Sequence, residues 1–459
     1  MKKIIFAALA LAFIACTNDS ETNEEVVEQE VEVVSSRHPE WVKSANIYEV
    51  NVRQYSESGR LNDFEKELPR LKEMGVDILW FMPIQPIGVK NRKESEADNG
   101  SFYSISNYTE VNAEVGTLQD FKDVVNAAHD MGMYVVLDWV ANHTAWDHPG
   151  ITAHPEYYAK DSTGKIVYEA DWTDIALLDH TNPETRKAMI DEMAYWITET
   201  DIDGYRCDHA GHEIPLYFWE EATAALDPLK DLFWLAEWDE PRMHTNFHAS
   251  YSWELMHLTA KVASGEKTAD DIDHFIRKDL ALYGKNAFRM MILTNHDENS
   301  WNGTIKERYA EGHRAFAALL FTAYGIPMIY GGQEVGLDKR LRFFEKDTVT
   351  WIDEQQLTPF YTQLLEMKHN NEALWNGEFG GTPERINSDE NIYAFKRKKG
   401  NNLVIGIINL SKDPQTLHIN DASVTGSYTD SFTEKTYELK SDTPMELAPW
   451  EYLIFEKNN

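Results

Sequence analysis

Between about residues 46 and 371 one pattern repeats: a short, uniformly apolar run followed by a longer stretch with helical spacing. The apolar runs are NIYEVNV (46–52), VDILWFMP (76–83), MYVVLD (133–138), DIDGYRCD (201–208), LFWLAE (232–237), MMILTN (290–295) and IPMIYGG (326–332). Strands that are apolar on both faces are buried on both faces, as parallel strands covered by helices are. DFEKELPRLKEMG (63–75) sets Phe64, Leu68, Leu71 and Met74 at helical spacing and ends in Gly75. Residues 118–132, 182–200 (with Pro183 in the first turn), 313–325 and 357–371 read as helices too. With the stretch near Tyr251 to Glu254 supplying an eighth strand, the pattern predicts an α/β fold, a (β/α)8 TIM barrel. A doubly wound sheet is the structural alternative. The longest interruption, about 143–182, follows the third strand and reads as a short inserted domain. Beyond about 380 the register changes to alternating strands with no helix signal, which predicts a C-terminal antiparallel β-sandwich over 380–459.

Composition narrows the partners. A formal net charge of −34 repels phosphate backbones and anionic lipid headgroups, so nucleic acid and membrane surfaces are not expected partners. Abundant aromatic residues, among them 14 Trp, alongside many carboxylates suit a neutral, hydroxylated ligand such as a sugar. The N-terminus, MKKIIFAALALAFIAC, has Lys2 and Lys3 ahead of an apolar run from Ile4 to Ile14. That run is too short for a membrane span, which needs about 20 apolar residues. Ala15 followed by Cys16 resembles a bacterial lipoprotein cleavage site, although Phe13 stands where Leu is usual; an ordinary secretory signal is the alternative. On the lipoprotein reading residues 1–16 are the signal and Cys16 carries the lipid. The acidic residues 17–40 form a disordered tether, and a barrel over 41–375 sits at the outer membrane or cell surface, with the periplasmic face as the alternative, attached through that lipid alone. Cys207 is then left without a disulfide partner.

In a barrel of this kind chemistry gathers at the C-terminal ends of the strands. The third strand delivers Asp138, then Asn142 and His143; the fourth Arg206 and Asp208; the fifth Glu237; the seventh Asn295, His296 and Asp297. One such carboxylate could be a helix cap. Several together, flanked by Arg and His, read as a shared site. Strand alternation points Arg206 and Asp208 inward and turns Tyr205 and Cys207 toward the helices. A guanidinium beside Asp208 favours the ionised form that a nucleophile needs. Glu237, among Trp234, Leu235 and Trp238, is expected to have a raised pKa, suiting a proton donor. Two carboxylates pushed apart in this way are the arrangement of a retaining glycosidase. No H-E-x-x-H or Cys/His spacing marks a metal site.

DWVANHT (138–144), GYRCDHAGH (204–212), LAEW (235–238) and TNHDEN (294–299), supported by GIPMIYGGQEVG (325–336) and IYEVNVRQYSESG (47–59), carry a family likeness. Over about residues 41–459 the chain resembles the α-amylase family of glycoside hydrolases. The resemblance implies Asp208 as nucleophile, Glu237 as general acid/base and Asp297 as the stabiliser of the transition state. It implies that Arg206 orients Asp208, that His143 and His296 bind hydroxyls of the sugar being cleaved, and that Tyr103 stacks on its face. His212 is implied as a further substrate contact. The sequence departs from the family at Ser104, where Asp is frequent; at Gly211, where Lys is usual; and at Leu177, where an Asp would join Asn142 around calcium. The expectation is therefore no required cofactor, with Asn142 as the residual calcium candidate. The implied partner is an α-glucan oligosaccharide or polysaccharide, cleaved mainly at α-1,4 bonds. Transglycosylation and action on α-1,6 bonds, cyclodextrin or pullulan remain alternatives, as does a non-catalytic glycan-binding lipoprotein.

Overall fold

The computed structural model describes residues 38–92 and 99–458. The signal, Cys16 and nearly all of the acidic tether lie outside the described residues. Eight strands form the barrel: Ile47–Val50, Ile78–Phe81, Tyr134–Val140, Gly204–Asp208, Phe233–Ala236, Ala249–Tyr251, Phe288–Met291 and Ile326–Tyr330. Every pairing is parallel, and the first strand pairs with the last, Ile47 opposite Met328, which closes the sheet.

Alternation divides the strand side chains between two cores. Ile47, Ile78, Trp80, Val136, Leu235, Met290 and Met328 fill the barrel interior. Tyr48, Leu79, Val135, Leu137, Tyr205, Cys207 and Trp234 join the helical layer outside it. The helices earn their places through local chemistry. Leu118–Asp130 opens with a capping box, in which Thr117 accepts from the Asp120 N–H and Asp120 accepts from the Thr117 N–H. Its buried face is Phe121, Val124, Val125 and Ala128. Pro183–Thr200 has Pro at the first position and Asn182 capping the Glu184 N–H. Burying each large apolar side chain contributes about 1.5–3 kcal/mol, so these faces fix which side of each helix meets the sheet.

Several boundaries differ from the sequence reading. The sixth strand is Ala249–Tyr251, and Glu254 belongs to the helix Trp253–Ala263 that follows. A three-residue strand with Ser250 at its centre is too short to show periodicity. The seventh strand begins at Phe288, so Ile292 to Asn295 run beyond the paired ladder. Three helices, Leu216–Leu226, Trp253–Ala263 and Ala269–Tyr283, were not anticipated. The last carries a Thr268–Asp271 capping box that is legible once the helix is known. The segment after the third strand is pinned by an antiparallel hairpin, His143–Ala145 against Ile175–Leu177.

The C-terminal region contains a four-stranded antiparallel sheet in the order Glu384–Arg385, Ile392–Lys399, Asn402–Asn409 and Tyr452–Lys457. One face, with Tyr393, Phe395, Val404, Ile408 and Ile454, joins the core of the barrel helices. The other, with Ala394, Ile405, Ile407 and Phe455, packs on Leu417, Leu439 and Leu447 from two two-stranded ribbons. Both faces are therefore buried, as in a sandwich.

Candidate active site

The fourth strand can start at Gly204 only because no side chain is there. A Cβ at that position would lie 2.0 Å from the Phe233 carbonyl oxygen on the fifth strand. This close approach sets Arg206 at the centre of the barrel mouth. Its Nη1 donates to Asp138 Oδ1 at 2.8 Å and to Asp208 Oδ1 at 2.9 Å. Its Nη2 forms an ion pair with Glu237 Oε1 at 2.9 Å, and its Nε donates to the Tyr251 hydroxyl at 3.2 Å. One guanidinium thus gathers carboxylates from the third and fourth strands and from just beyond the fifth. The planar fork of Arg makes this possible where the single ammonium of Lys would not.

The carboxylates differ in their surroundings. Asp138 is fully buried under Trp80 and Tyr103, which donate to its Oδ2 at 3.2 Å each. Burial pushes it up to about 7 against the pull of Arg206. Asp208 and Glu237 are 11% and 9% exposed at their side chains and face a cleft of about 520 Å³. Burial raises the Glu237 carboxyl, with the charges of Asp208 and Asp297 adding to the rise, while Arg206 opposes it. Glu237 Oε2 also accepts from the His209 backbone N–H at 2.9 Å, which fixes the orientation of the carboxyl.

Asp297 stands on the same cleft, next to a buried relay. His296 contacts Glu49 through Nδ1 at 2.5 Å, and Asp297 Oδ2 and the Tyr103 hydroxyl through Nε2 at 3.2 and 2.8 Å. Burial alone would lower His296. The charges of Asp297 and Glu49 outweigh it and raise the ring well above its ordinary value, keeping it cationic. For Asp297 burial pushes upward, but His296 overcomes it and the carboxyl ends below its usual range. The Tyr103 ring lies over His296 at 5.5 Å and 25°, so the wall of the cleft is aromatic at this point. His143 lines the cleft as well. Its Nε2 meets the Tyr103 carbonyl oxygen at 3.1 Å, which assigns the proton to Nε2, and burial lowers its pKa.

The structure therefore brings Asp208, Glu237, Asp297, His143 and Tyr103 to one cleft, with Arg206 beneath and His296 behind. His212 is placed differently. It lies beside the cleft with Nε2 against Glu169 Oε1 at 2.5 Å. The departures from the family pattern acquire physical reasons. Ser104 donates its hydroxyl to the Asp174 carbonyl at 2.9 Å, tying the inserted segment to the barrel. At Gly211, a Cβ would lie 2.3 Å from Trp238 Cδ1, because the indole occupies the space of a side chain.

The surroundings of Asn142 do not suit calcium, which takes six to eight oxygens. Among the described residues the carboxylate hydrogen-bonded to it is Glu169, whose Oε2 accepts from the Asn142 amide at 3.4 Å and whose Oε1 is held by His212. Leu177 offers no side-chain oxygen, and its partner in the hairpin is His143. Among the described residues no group of three or more His, Cys, Asp or Glu is gathered as a metal site.

Sequence reasoning passed over several residues that shape the cleft. Glu49 is a charge inside an apolar strand, a signal that was available. Trp172, Trp301 and Phe343 line the cleft but come from irregular segments without periodicity. Trp301, on the π-helical turn Glu298–Asn302, is 54% exposed, an unusual state for so large an apolar surface.

Residues 51–172 match the family model described as Alpha amylase, catalytic domain. Alpha-amylase 3 of Dictyoglomus thermophilum is 25% identical over 458 residues, covering 83% of this chain and 87% of that protein. The intracellular maltogenic amylase of Bacillus subtilis is 24% identical over 474 residues, covering 91% of this chain and 77% of that protein. Among solved structures, a maltogenic alpha-amylase, AmyB, from Thermotoga neapolitana is similar with a TM-score of 0.83 and 29% identity. That likeness covers 91% of this chain and 99% of that one.

Proposed function

We propose that this chain, which carries a catalytic domain of the α-amylase family, is a retaining glycoside hydrolase that cleaves mainly α-1,4 bonds in starch, maltodextrin or related α-glucans. The observation that carries the reading is the grip of one guanidinium, Arg206, on both Asp208 and Glu237 at the floor of a cleft that Asp297 also enters.

In this reading the Asp208 carboxylate attacks the anomeric carbon. The proton of Glu237 passes to the glycosidic oxygen as the C–O bond breaks, so the leaving sugar departs as an alcohol. A glycosyl ester on Asp208 results. Glu237, now ionised, takes a proton from a water that attacks the same carbon, restoring both carboxyl groups and retaining configuration. Asp297, held ionised by His296, faces the positive charge that develops on the ring. If a sugar hydroxyl replaces the water, the same steps give transglycosylation. The apolar face of Tyr103 and the many carboxylates around it suit a neutral, hydroxylated substrate.

Product analysis on amylose, pullulan, cyclodextrin and maltotriose tests the reading. Release of α-configured maltooligosaccharides from amylose, abolished in Asp208→Asn, is expected. Wild-type turnover in Asp208→Asn would overturn the assignment of the nucleophile. Calcium forms no part of the proposed chemistry, which runs through Asp208, Glu237 and Asp297.

A further inference from the structure

We propose that Glu169 is a positioning residue. Through His212 and Asn142 it clasps the inserted segment to the loops that follow the third and fourth strands, and so sets Trp172 at the cleft. This clasp stands where the family resemblance would place a cation. Its kinetic consequence rests on the function proposed above; the clasp itself rests on geometry alone.

Glu169 belongs to the excursion between the hairpin strands His143–Ala145 and Ile175–Leu177. Its Oε1 meets His212 Nε2 at 2.5 Å, and its Oε2 accepts from Asn142 Nδ2 at 3.4 Å. Three chain segments that are distant in sequence thus converge on one carboxylate. The backbone on both sides is strained. Ala170, next to Glu169, has φ +48°, and His209 and Glu213, which flank His212, have φ +48° and +55°. Side chains with a Cβ hold such angles only where the surroundings impose them, and they cluster at functional sites. The clasp joins the two strained turns, alongside the contact of the Trp172 indole with the His209 ring.

What it positions is Trp172, whose N–H donates to the Glu169 carbonyl at 2.9 Å. The indole lies 5.3 Å from the His209 ring and 6.2 Å from the His143 ring, at the wall of the cleft. The far end of the segment is tied separately. Ser104 donates to the Asp174 carbonyl and Trp146 Nε1 to the Thr173 carbonyl, each at 2.9 Å. Val167 is held as well, by backbone bonds to Ala159 and Leu177, so releasing Glu169 loosens only the short stretch between Val167 and Thr173, which bears Trp172. Glu169 touches none of the three cleft carboxylates, so its loss acts on binding rather than on the bond-breaking step.

The test uses the full-length purified protein and its Glu169→Ala, Glu169→Gln and His212→Gln variants. Glu169→Ala should raise KM for maltotetraose about fivefold or more while kcat changes less than about twofold. It should also speed amide exchange across residues 168–173 by about tenfold. Glu169→Gln keeps one hydrogen bond of the pair and should restore most of the wild-type KM and exchange, and His212→Gln most of the wild-type exchange. Addition of EDTA or of CaCl2 should leave the wild-type Tm unchanged. A Tm that falls with EDTA and returns with CaCl2 would overturn the proposal, as would Glu169→Ala with wild-type exchange. If Glu169→Ala does not fold, His212→Ala breaks the same pair from the other side. A wild type that cleaves no α-glucan would contradict the proposed function, whereas the exchange and Tm measurements judge the clasp without turnover.

Discussion

Arg206 reaches Asp208 with one terminal nitrogen and Glu237 with the other, at 2.9 Å each, while its own side chain is wholly buried. The two carboxylates proposed as nucleophile and proton donor are thereby held in a fixed relation by a single cation. Removing that cation leaves buried carboxylates uncompensated. Arg206→Ala should lose about 3–5 kcal/mol of unfolding free energy in urea titrations. Arg206→Lys, which keeps the charge but not the fork, should fold more stably yet lose kcat by about 100-fold or more. Near-wild-type kcat in Arg206→Lys would show that the bidentate geometry is unnecessary.

The raised Glu237 carboxyl sets an expectation for pH. Burial is the main cause, and the neighbouring Asp208 and Asp297 charges add to it. As the proposed acid, Glu237 must carry its proton. Activity is present below its pKa and lost as pH rises through it. The basic limb of kcat/KM should therefore lie above the ordinary carboxyl value of 4.5. In Glu237→Gln the limb should vanish from the residual activity on maltosyl fluoride, whose leaving group needs no proton. An unchanged basic limb in that variant would assign it to another group.

Gly211 and Trp238 form a second pair with a sharp consequence. Placing at this position the Lys that the resemblance leads one to expect, with Gly211→Lys, drives a Cβ to within 2.3 Å of the indole. Overpacking of this kind costs about 1–3 kcal/mol, visible as a lower Tm. Gly211→Lys with Trp238→Ala should recover most of the loss, because the space is then free. Additive losses in the double variant would mean that the two positions do not compete for the same space.

The N-terminal run supports a separate prediction about export. If Cys16 carries the lipid, Cys16→Ser should move the protein from the membrane fraction to the soluble fraction with the same specific activity. Unchanged membrane association would contradict lipidation. No helix among the described residues is long and apolar enough to cross a membrane.

The barrel was legible because its strands are apolar on both faces, a pattern that few other architectures produce. The sixth strand was blurred because Ala249–Tyr251 is three residues long and carries Ser250. Asp208, Glu237 and Asp297 were readable as carboxylates ending apolar runs. That Arg206 and Asp208 share a face could be inferred from alternation, but the capture of Glu237 by the second terminal nitrogen of Arg206 could not. Glu169 was invisible, since it sits in an irregular segment and its role depends on where His212 and Asn142 arrive from other parts of the chain. Gly211 read in the sequence only as a departure from the expected Lys; beside Trp238 it is a packing requirement.

The most direct test is to trap the intermediate. Glu237→Gln incubated with α-maltosyl fluoride should form the glycosyl ester faster than it can be hydrolysed, and mass spectrometry after digestion should place a maltosyl adduct on the peptide containing Asp208. An adduct on another carboxylate, or inverted product with no adduct, would contradict the account.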